Sequence, residues 1–575
     1  MRILVISVLM YFPTLALGQS VLVDGRFAEW ENLPVAYADA SNDGGSSGID
    51  FGRLWIMHDE KRVFLHVEVG TDILVQDENT VRLYIDTDLD AGTGLQVAGI
   101  GAELIWNFAN RDGQVRLGGN TRTVRHADVG FVLSPTMTTS GFEMSFSREA
   151  EINGTPLFSS ERMRVVLRVG EPGGDQLPDQ DGGVGYDLSD EGQPLPEELI
   201  VPAPSPFRSR VLTMNTLQDG LLDNSRKAAF GRIIRAARPD ILCFQECFDA
   251  SAGQVLLVVR SVIDPPAGRT WRTLKIDQGN VLITHFDIVD SWDVQSSYRE
   301  SAYLLRSPEG KQLLLLNCHF RCCDADDKRQ EEADGVIAFL RDAKSPGGRI
   351  TLDDDTPIML VGDLNLVGER RQYQTLITGD IADNARYGED EAPGWNGDQL
   401  TDYVSRQPRS PFAYTWYSPG SSYAPARLDY ILYTARTLHI TDGLIMNTAD
   451  MSEPEILRNG LRAEDAGEAS DHFARYAEFY WKDPSSVGAI PETTLITDVW
   501  PQPAQGILNI RTEAHTRSLH FRICDLLGRQ IRSDFVDPYY TPHVISLDLS
   551  GFRAGMYILR IEDGSTTQSR TVVVQ

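Results

Sequence analysis

Pro357-Ile358-Met359-Leu360-Val361-Gly362-Asp363-Leu364-Asn365 decides how this chain reads. Four consecutive apolar residues suit a strand buried on both faces, and the run then turns abruptly polar. In extended backbone the alternation puts the Asp363 and Asn365 side chains on one face, and Gly362 lets the strand approach a neighbour closely. The same form recurs on either side of this stretch. Residues 211–214 end at Asn215, residues 241–244 end at Gln245-Glu246, and residues 313–316 end at Asn317-Cys318-His319. Arg427-Leu428-Asp429-Tyr430-Ile431-Leu432 carries a carboxylate inside a strand pattern, and Ser470-Asp471-His472 sets an acid beside an imidazole. Polar side chains at the ends of buried strands leave the core and face a shared cleft. Helical stretches at 225–237 and 324–343 alternate with the strands, so residues 210–481 are expected to form an α/β or α+β domain.

The residue types suit one chemistry. A phosphodiester is anionic with a poor leaving group, so its hydrolysis needs charge neutralisation, an activated water and a positioned acid. A hard divalent cation on carboxylate oxygen supplies the first. Glu246 is the leading metal ligand, with Asn215 and Asp471 beside it. Asp363 is placed to orient or deprotonate water, and the Asn365 amide to donate to a phosphate oxygen. His319 and His472 cover the remaining oxygens, oriented by Glu300 and Asp429 respectively. Each residue alone also has an ordinary reading: a turn amide for Asn215, a solvated acid for Glu246, Glu300 or Asp429, a satisfied core imidazole for either histidine. Their order along the chain is what argues for a site.

Around this domain the chain changes character. At 575 residues it exceeds one hydrophobic core. Residues 1–18 place one positive charge before a short apolar run ending in Ala16-Leu17-Gly18, a secretory signal pattern too short for a membrane span. Residues 19–170 show short β-rich runs broken by Gly, Asp and Asn, the pattern of an antiparallel sandwich. Residues 171–209 read as a linker, as do 482–498, and 499–575 as a small all-β sandwich. Within the first module Asp86, Asp88 and Asp90 offer closely spaced oxygen ligands for calcium or form an ordinary acidic turn, while Trp30, Trp55 and Trp106 suit stacking on sugar but more readily buried core. The formal charge of −29 excludes broad adhesion to nucleic acid backbones or anionic membranes, though not a phosphate substrate at a metal site. The six cysteines match no zinc spacing, leaving an isolated disulfide or free thiols.

Together, Asn215, Gln245-Glu246, His319, Gly362-Asp363-Leu364-Asn365, Arg427-Leu428-Asp429-Tyr430 and Ser470-Asp471-His472 resemble the motif series of the endonuclease/exonuclease/phosphatase superfamily, across about residues 208–480. The resemblance implies a four-layer α/β sandwich and a magnesium- or manganese-dependent site. In it Glu246 matches the principal metal ligand, His472 the catalytic histidine with Asp429 as its acid, and His319 the histidine of the deoxyribonuclease-like branch, supported by Glu300. A secreted nuclease acting on DNA or RNA is the first expectation; a phosphatase or sphingomyelinase-like diesterase is the alternative, and a non-catalytic adhesin a third. Asp24-Gly25-Arg26-Phe27-Ala28-Glu29-Trp30 and the stretch from Leu83 to Gly94 resemble carbohydrate-binding family nine and DOMON-like modules, which implies a glycan partner. Val499-Trp500-Pro501-Gln502-Pro503, Asp525-Leu526-Leu527-Gly528-Arg529 and residues 554–560 resemble a type IX secretion sorting domain, which implies export through that machinery to the cell surface or beyond.

Overall fold

Apolar residues in the first third of the chain pair as antiparallel strands in two sheets that share one core. In the computed structural model the described residues are 20–482, apart from 46–47, 78, 171–173, 191 and 206–207, together with 498–511, 519–524, 530–536, 544–549, 551–562 and 567–574. The leader expected at 1–18, the 525–529 motif and the linker at 483–497 lie outside them.

One sheet of the amino-terminal module runs in the order Tyr37–Ala38, Arg53–His58, Arg62–Ile73, Thr139–Ser147, Val132–Ser134. The other centres on Arg162–Val169, Val81–Asp86 and Leu104–Asn107. Leu54, Ile56 and Leu65 from the first meet Leu83, Ile85 and Val165 from the second. Arg62–Ile73 is buried on both faces along its first half, because its outer side chains, with Trp30 and Trp55, pack on Phe412 of the next domain. Trp30, Trp55 and Trp106 are 1%, 2% and 2% exposed and serve as core, the fate the sequence favoured for most of them, so none offers a ring to sugar. One expectation changes here. The sandwich extends past residue 170: Gln176–Leu177 and Val184–Asp187 both pair with Arg162–Val169, and the linker begins only after them.

The central domain contains two six-stranded sheets. Its strands are β1 Ser209–Asn215, β2 Ile241–Gln245, β3 Arg272–Leu274, β4 Val281–Thr284, β5 Asp287–Asp293, β6 Glu300–Arg306, β7 Gln312–His319, β8 Ile358–Asp363, β9 Thr401–Asp402, β10 Asp429–Tyr433, β11 Leu438–Ile445 and β12 Arg475–Trp481. The first sheet has the order β3-β4-β2-β1-β12-β11 and the second β5-β6-β7-β8-β10-β9. Each centre repeats one pattern: a parallel pair, β1/β2 or β7/β8, flanked by an antiparallel partner, β12 or β10. Val211, Ile241 and Cys243 of one sheet pack with Leu315, Met359, Val361 and Ile431 of the other. Helix α1, Lys227–Ala237, lies on the far side of the first sheet, and α2, Asp326–Lys344, on the far side of the second. Strands buried on both faces explain the unbroken apolar runs in the sequence.

The carboxy-terminal unit, residues 482–575, is separate. Its seven strands form a sheet system around Leu508, Ile510, Phe521, Ile523, Leu559, Ile561 and Val572.

Candidate active site

Parallel pairing brings the polar strand ends to one place. In the second sheet His319 lies opposite Asp363, and Asp363 opposite Asp429. Register partners project on the same face, so three functional side chains stand in a row across three strands. Gly362 makes the row possible: at φ +135°, a Cβ there would run into the Cys318 carbonyl oxygen of the adjoining strand. In the first sheet Asn215 lies opposite Gln245, and Glu246 follows at once. Leu217, Gln218, Asp219, Glu246 and Asn365 all adopt positive φ, between 47° and 59°. Side chains rarely take that conformation, and its concentration where strands end marks a functional cleft.

Asn215 ties the two sheets together. Its Nδ2 donates to Glu246 Oε1 at 3.1 Å and to Asp363 Oδ2 at 2.9 Å. Its Oδ1 accepts from the Leu217 amide at 2.9 Å. Asn215, expected beside the metal, bridges the two carboxylates through its amide hydrogens. The Gln218 amide donates to Glu246 Oε2 at 2.9 Å. Behind them Gln245 joins the sheets, donating to Thr213 Oγ1 and Asn317 Oδ1.

His472 stands in the loop before β12, where Ser470 anchors it: the Ser470 hydroxyl accepts from the His472 amide and donates to the Asn215 carbonyl. His472 Nδ1 is 2.8 Å from Asp429 Oδ2, and Nε2 is 3.7 Å from Asp363 Oδ2. Burial alone would push its pKa down, but Asp429 and Asp363 outweigh it and raise the imidazole to about 10. Both carboxylates favour the protonated imidazole. Burial pushes the Asp363 carboxyl up, with His472 acting in the opposite sense.

His319 contrasts with it. Its Nε2 is 3.8 Å from Glu246 Oε1 and 3.7 Å from Asp363 Oδ2. Burial, with Arg299, His472 and Arg321 nearby, holds its pKa well below the usual histidine range. Glu300 does not support it. That carboxyl bonds to Gln295 Nε2 at 3.1 Å, and burial, with Glu332 close by, pushes it well above the usual range. On β6 Glu300 faces the outer layer beneath α2, and His319 Nδ1 has no hydrogen-bond partner among the described residues. Asn365 Nδ2 donates to the Phe320 carbonyl at 3.0 Å, which leaves one amide hydrogen for other acceptors.

Sequence reasoning passed over Trp416. Its Nε1 donates to Asp471 Oδ2 at 2.9 Å, while Asp471 Oδ1 is buried without a partner. Trp416 also forms β-bridges with Ala426 and His472. The aromatic run Tyr414-Thr415-Trp416-Tyr417 ahead of Arg427-Leu428-Asp429 was its only signal. Arg299, next to Glu300 in the pair expected to support His319, lies over the Phe248 ring at 5.7 Å.

Two strand-end clusters from two facing sheets, sharing one histidine–aspartate pair, decide the comparison. Residues 212–472 match the Endonuclease/Exonuclease/phosphatase family. The matched region holds both strand-end clusters and the His472–Asp429 pair. Residues 498–575 match the secretion system C-terminal sorting domain, which marks the chain for export to the outer membrane or the extracellular space. No curated protein matches the chain. Among solved structures, the catalytic domain of human Nocturnin with bound sulfate is 19% identical, with 48% of this chain and 95% of that chain covered and a TM-score of 0.29. The AP endonuclease LMAP of Leishmania major is 14% identical, covering 50% and 93%, with a TM-score of 0.29. Sphingomyelinase C of Streptomyces griseocarneus is 18% identical, covering 47% and 99%, with a TM-score of 0.28. No helix among the described residues is long and apolar enough to cross a membrane.

Proposed function

We propose that the chain is an exported, divalent-cation-dependent phosphodiester hydrolase, and that its substrate is nucleic acid. The carrying observation is the His472–Asp429 pair at 2.8 Å, with the other imidazole nitrogen turned toward Asp363. Asp429 fixes Nδ1 as the donor to a carboxylate, so Nε2–H is free to donate to a phosphoryl oxygen. Asp363, raised by burial, is suited to take a proton from the attacking water as the new P–O bond forms and the leaving group departs. Asn215 keeps Asp363 and Glu246 in place through its two donated bonds.

The oxygen donors fit a hard cation: Glu246 retains 19% side-chain exposure, and Asp471 Oδ1 is buried and unpartnered. A magnesium or manganese ion held by Glu246 and Asp471 supplies charge neutralisation at the phosphate when bound. Half-exposed Leu217 and Phe248, with Arg299 across the Phe248 ring, give the cleft apolar and cationic surface together, which favours a base-bearing substrate.

The test is hydrolysis by the full chain beside Glu246→Ala and His472→Ala, on supercoiled plasmid, RNA, sphingomyelin and a chromogenic phosphodiester, with Mg²⁺ or chelator. Cation-dependent plasmid or RNA cleavage, lost in both variants, is the expected result. Turnover of lipid or small ester alone moves the substrate to the phospholipid or phosphatase class, and a folded chain that turns over nothing leaves a binding protein.

A further inference from the structure

Carboxylates gather a second time, in the amino-terminal module and away from the cleft. Asp86, at the end of Val81–Asp86, is fully buried, and Glu103 beside Leu104–Asn107 is 1% exposed. With half-exposed Asp88 they offer three oxygens that all lie within 4.8 Å of one another. The expected third member, Asp90, is not among them. Its side chain is exposed and closes a turn onto the Gly92 amide at 2.8 Å, while Glu103, from the bend between Ile100–Ala102 and Leu104–Asn107, takes its place.

Three features separate this group from an ordinary acidic turn. Asp86 Oδ1 accepts from the Leu89 amide, but Oδ2, buried, accepts no bond within hydrogen-bonding geometry. No Lys, Arg or His nitrogen among the described residues forms an ion pair with any of the three. The Thr93 hydroxyl has Asp88 Oδ1 and Oδ2, Asp90 O and Glu103 Oε1 all at 2.8–3.1 Å, four acceptors around a group with one hydrogen to give. Besides Thr93, the backbone amides of Thr87, Leu89 and Asp90 donate to the three carboxylates, and Asp86 Oδ2 is left with no donor. The backbone is shaped to allow this: a Cβ on Gly94, at φ +58°, would strike Ala102 O and Glu103 Oε1.

We propose that Asp86, Asp88 and Glu103 form a calcium site, completed by oxygens of the 88–93 loop, that clamps this loop onto the strand pair Leu95–Val97 and Ile100–Ala102. A bound cation offsets the desolvation of these buried carboxylates, none of which is ion-paired to a side chain among the described residues. All-oxygen donors on a flexible loop suit calcium, which accepts six to eight ligands with loose geometry, better than magnesium, which demands a regular octahedron.

The experiment uses the full chain carrying Glu246→Gln, so that the hydrolytic cleft contributes no cation binding, after treatment with EGTA. Calcium titration is followed by melting temperature and by bound-metal analysis after desalting. The expected result is about one calcium per chain and a melting temperature raised by several degrees, with magnesium at the same concentration giving neither. Adding Glu103→Gln, or the half-exposed Asp88→Asn, abolishes both effects while circular dichroism shows the fold intact. Retention of calcium in both added variants overturns the proposal, because the ion then sits at the other acidic group, Asp39, Asp43, Asp175 and Asp179. So does a parent protein that binds no calcium.

Discussion

At the scale of the residue, one charge distribution governs the cleft. His472 is held protonated between Asp429 and Asp363, while His319, a few ångströms away beside Arg299 and Arg321, is held neutral. Two histidines facing one aspartate therefore differ in what they can give. Removing the His472 imidazole (His472→Ala) is expected to lower kcat by roughly 10²–10⁴-fold, the usual range for a positioned acid or base. Asp429→Asn, which keeps the shape but not the charge, should lower kcat with little change in KM; steady-state kinetics on the preferred substrate checks both. The pair also predicts a stability slope. A histidine whose folded pKa is raised to about 10 from 6.5 contributes stability that is complete below the unfolded value and is lost as pH rises through the folded one. In chelator, the wild type should lose stability between pH 6.5 and 10 relative to His472→Gln. Parallel urea midpoints for the two proteins across that range would show that the imidazolium makes no such contribution.

At the scale of the element, the site depends on strand register and on one loop. Gly362 stands where β8 passes closest to β7, so Gly362→Ala must push the strands apart or rotate the peptide, and should cost at least about 1 kcal/mol. The same shift would pull Asp363 out of line with His319 and Asp429, so activity should fall further than stability; urea melts beside kinetics separate the two. The 411–427 loop acts differently. Trp416→Phe keeps the ring and removes only the donor to Asp471, a bond to a charged group worth about 1.5–3 kcal/mol. Activity is expected to fall by up to about 10²-fold with the fold preserved. Unchanged kinetics would mean that Asp471 needs no outside support.

At the scale of the whole molecule, the amino-terminal sandwich and the hydrolase domain behave as one body. The Val23 amide donates to Pro411 O at 2.7 Å, and the Thr138 amide to Gly368 O at 2.9 Å. Thr136 Oγ1 donates to Leu366 O, and Gln76 Oε1 accepts from the Ala424 amide. Arg62 covers the Phe412 ring and Arg111 the Tyr423 ring, at 4.4 and 4.1 Å. Most of these contacts fall on the loop that carries Trp416, so the module braces one wall of the cleft. Deleting residues 1–207 should expose Phe412, lower the melting temperature and reduce kcat. A truncated protein that melts and turns over like the parent would make the module a mere appendage.

Much of this was legible in the sequence, for a local reason. Apolar runs that stop at Asn215, Glu246, His319 and Asp363 determine buried strands with polar ends, because side-chain periodicity and the transfer of apolar surface act over a few residues. What lies across the molecule was not legible. The Asp429 partner of His472 was expected from their order and is found at 2.8 Å, but why Glu300 turns away from His319, how Asn215 comes to bridge Glu246 and Asp363, and where Trp416 lands all follow from pairings between residues tens to hundreds of positions apart. The same holds for Glu103 in place of Asp90. The chain by itself determined which residues stand at the strand ends; only tertiary structure decided their partners, since register and packing between distant segments set distances to within an ångström and local sequence does not encode them.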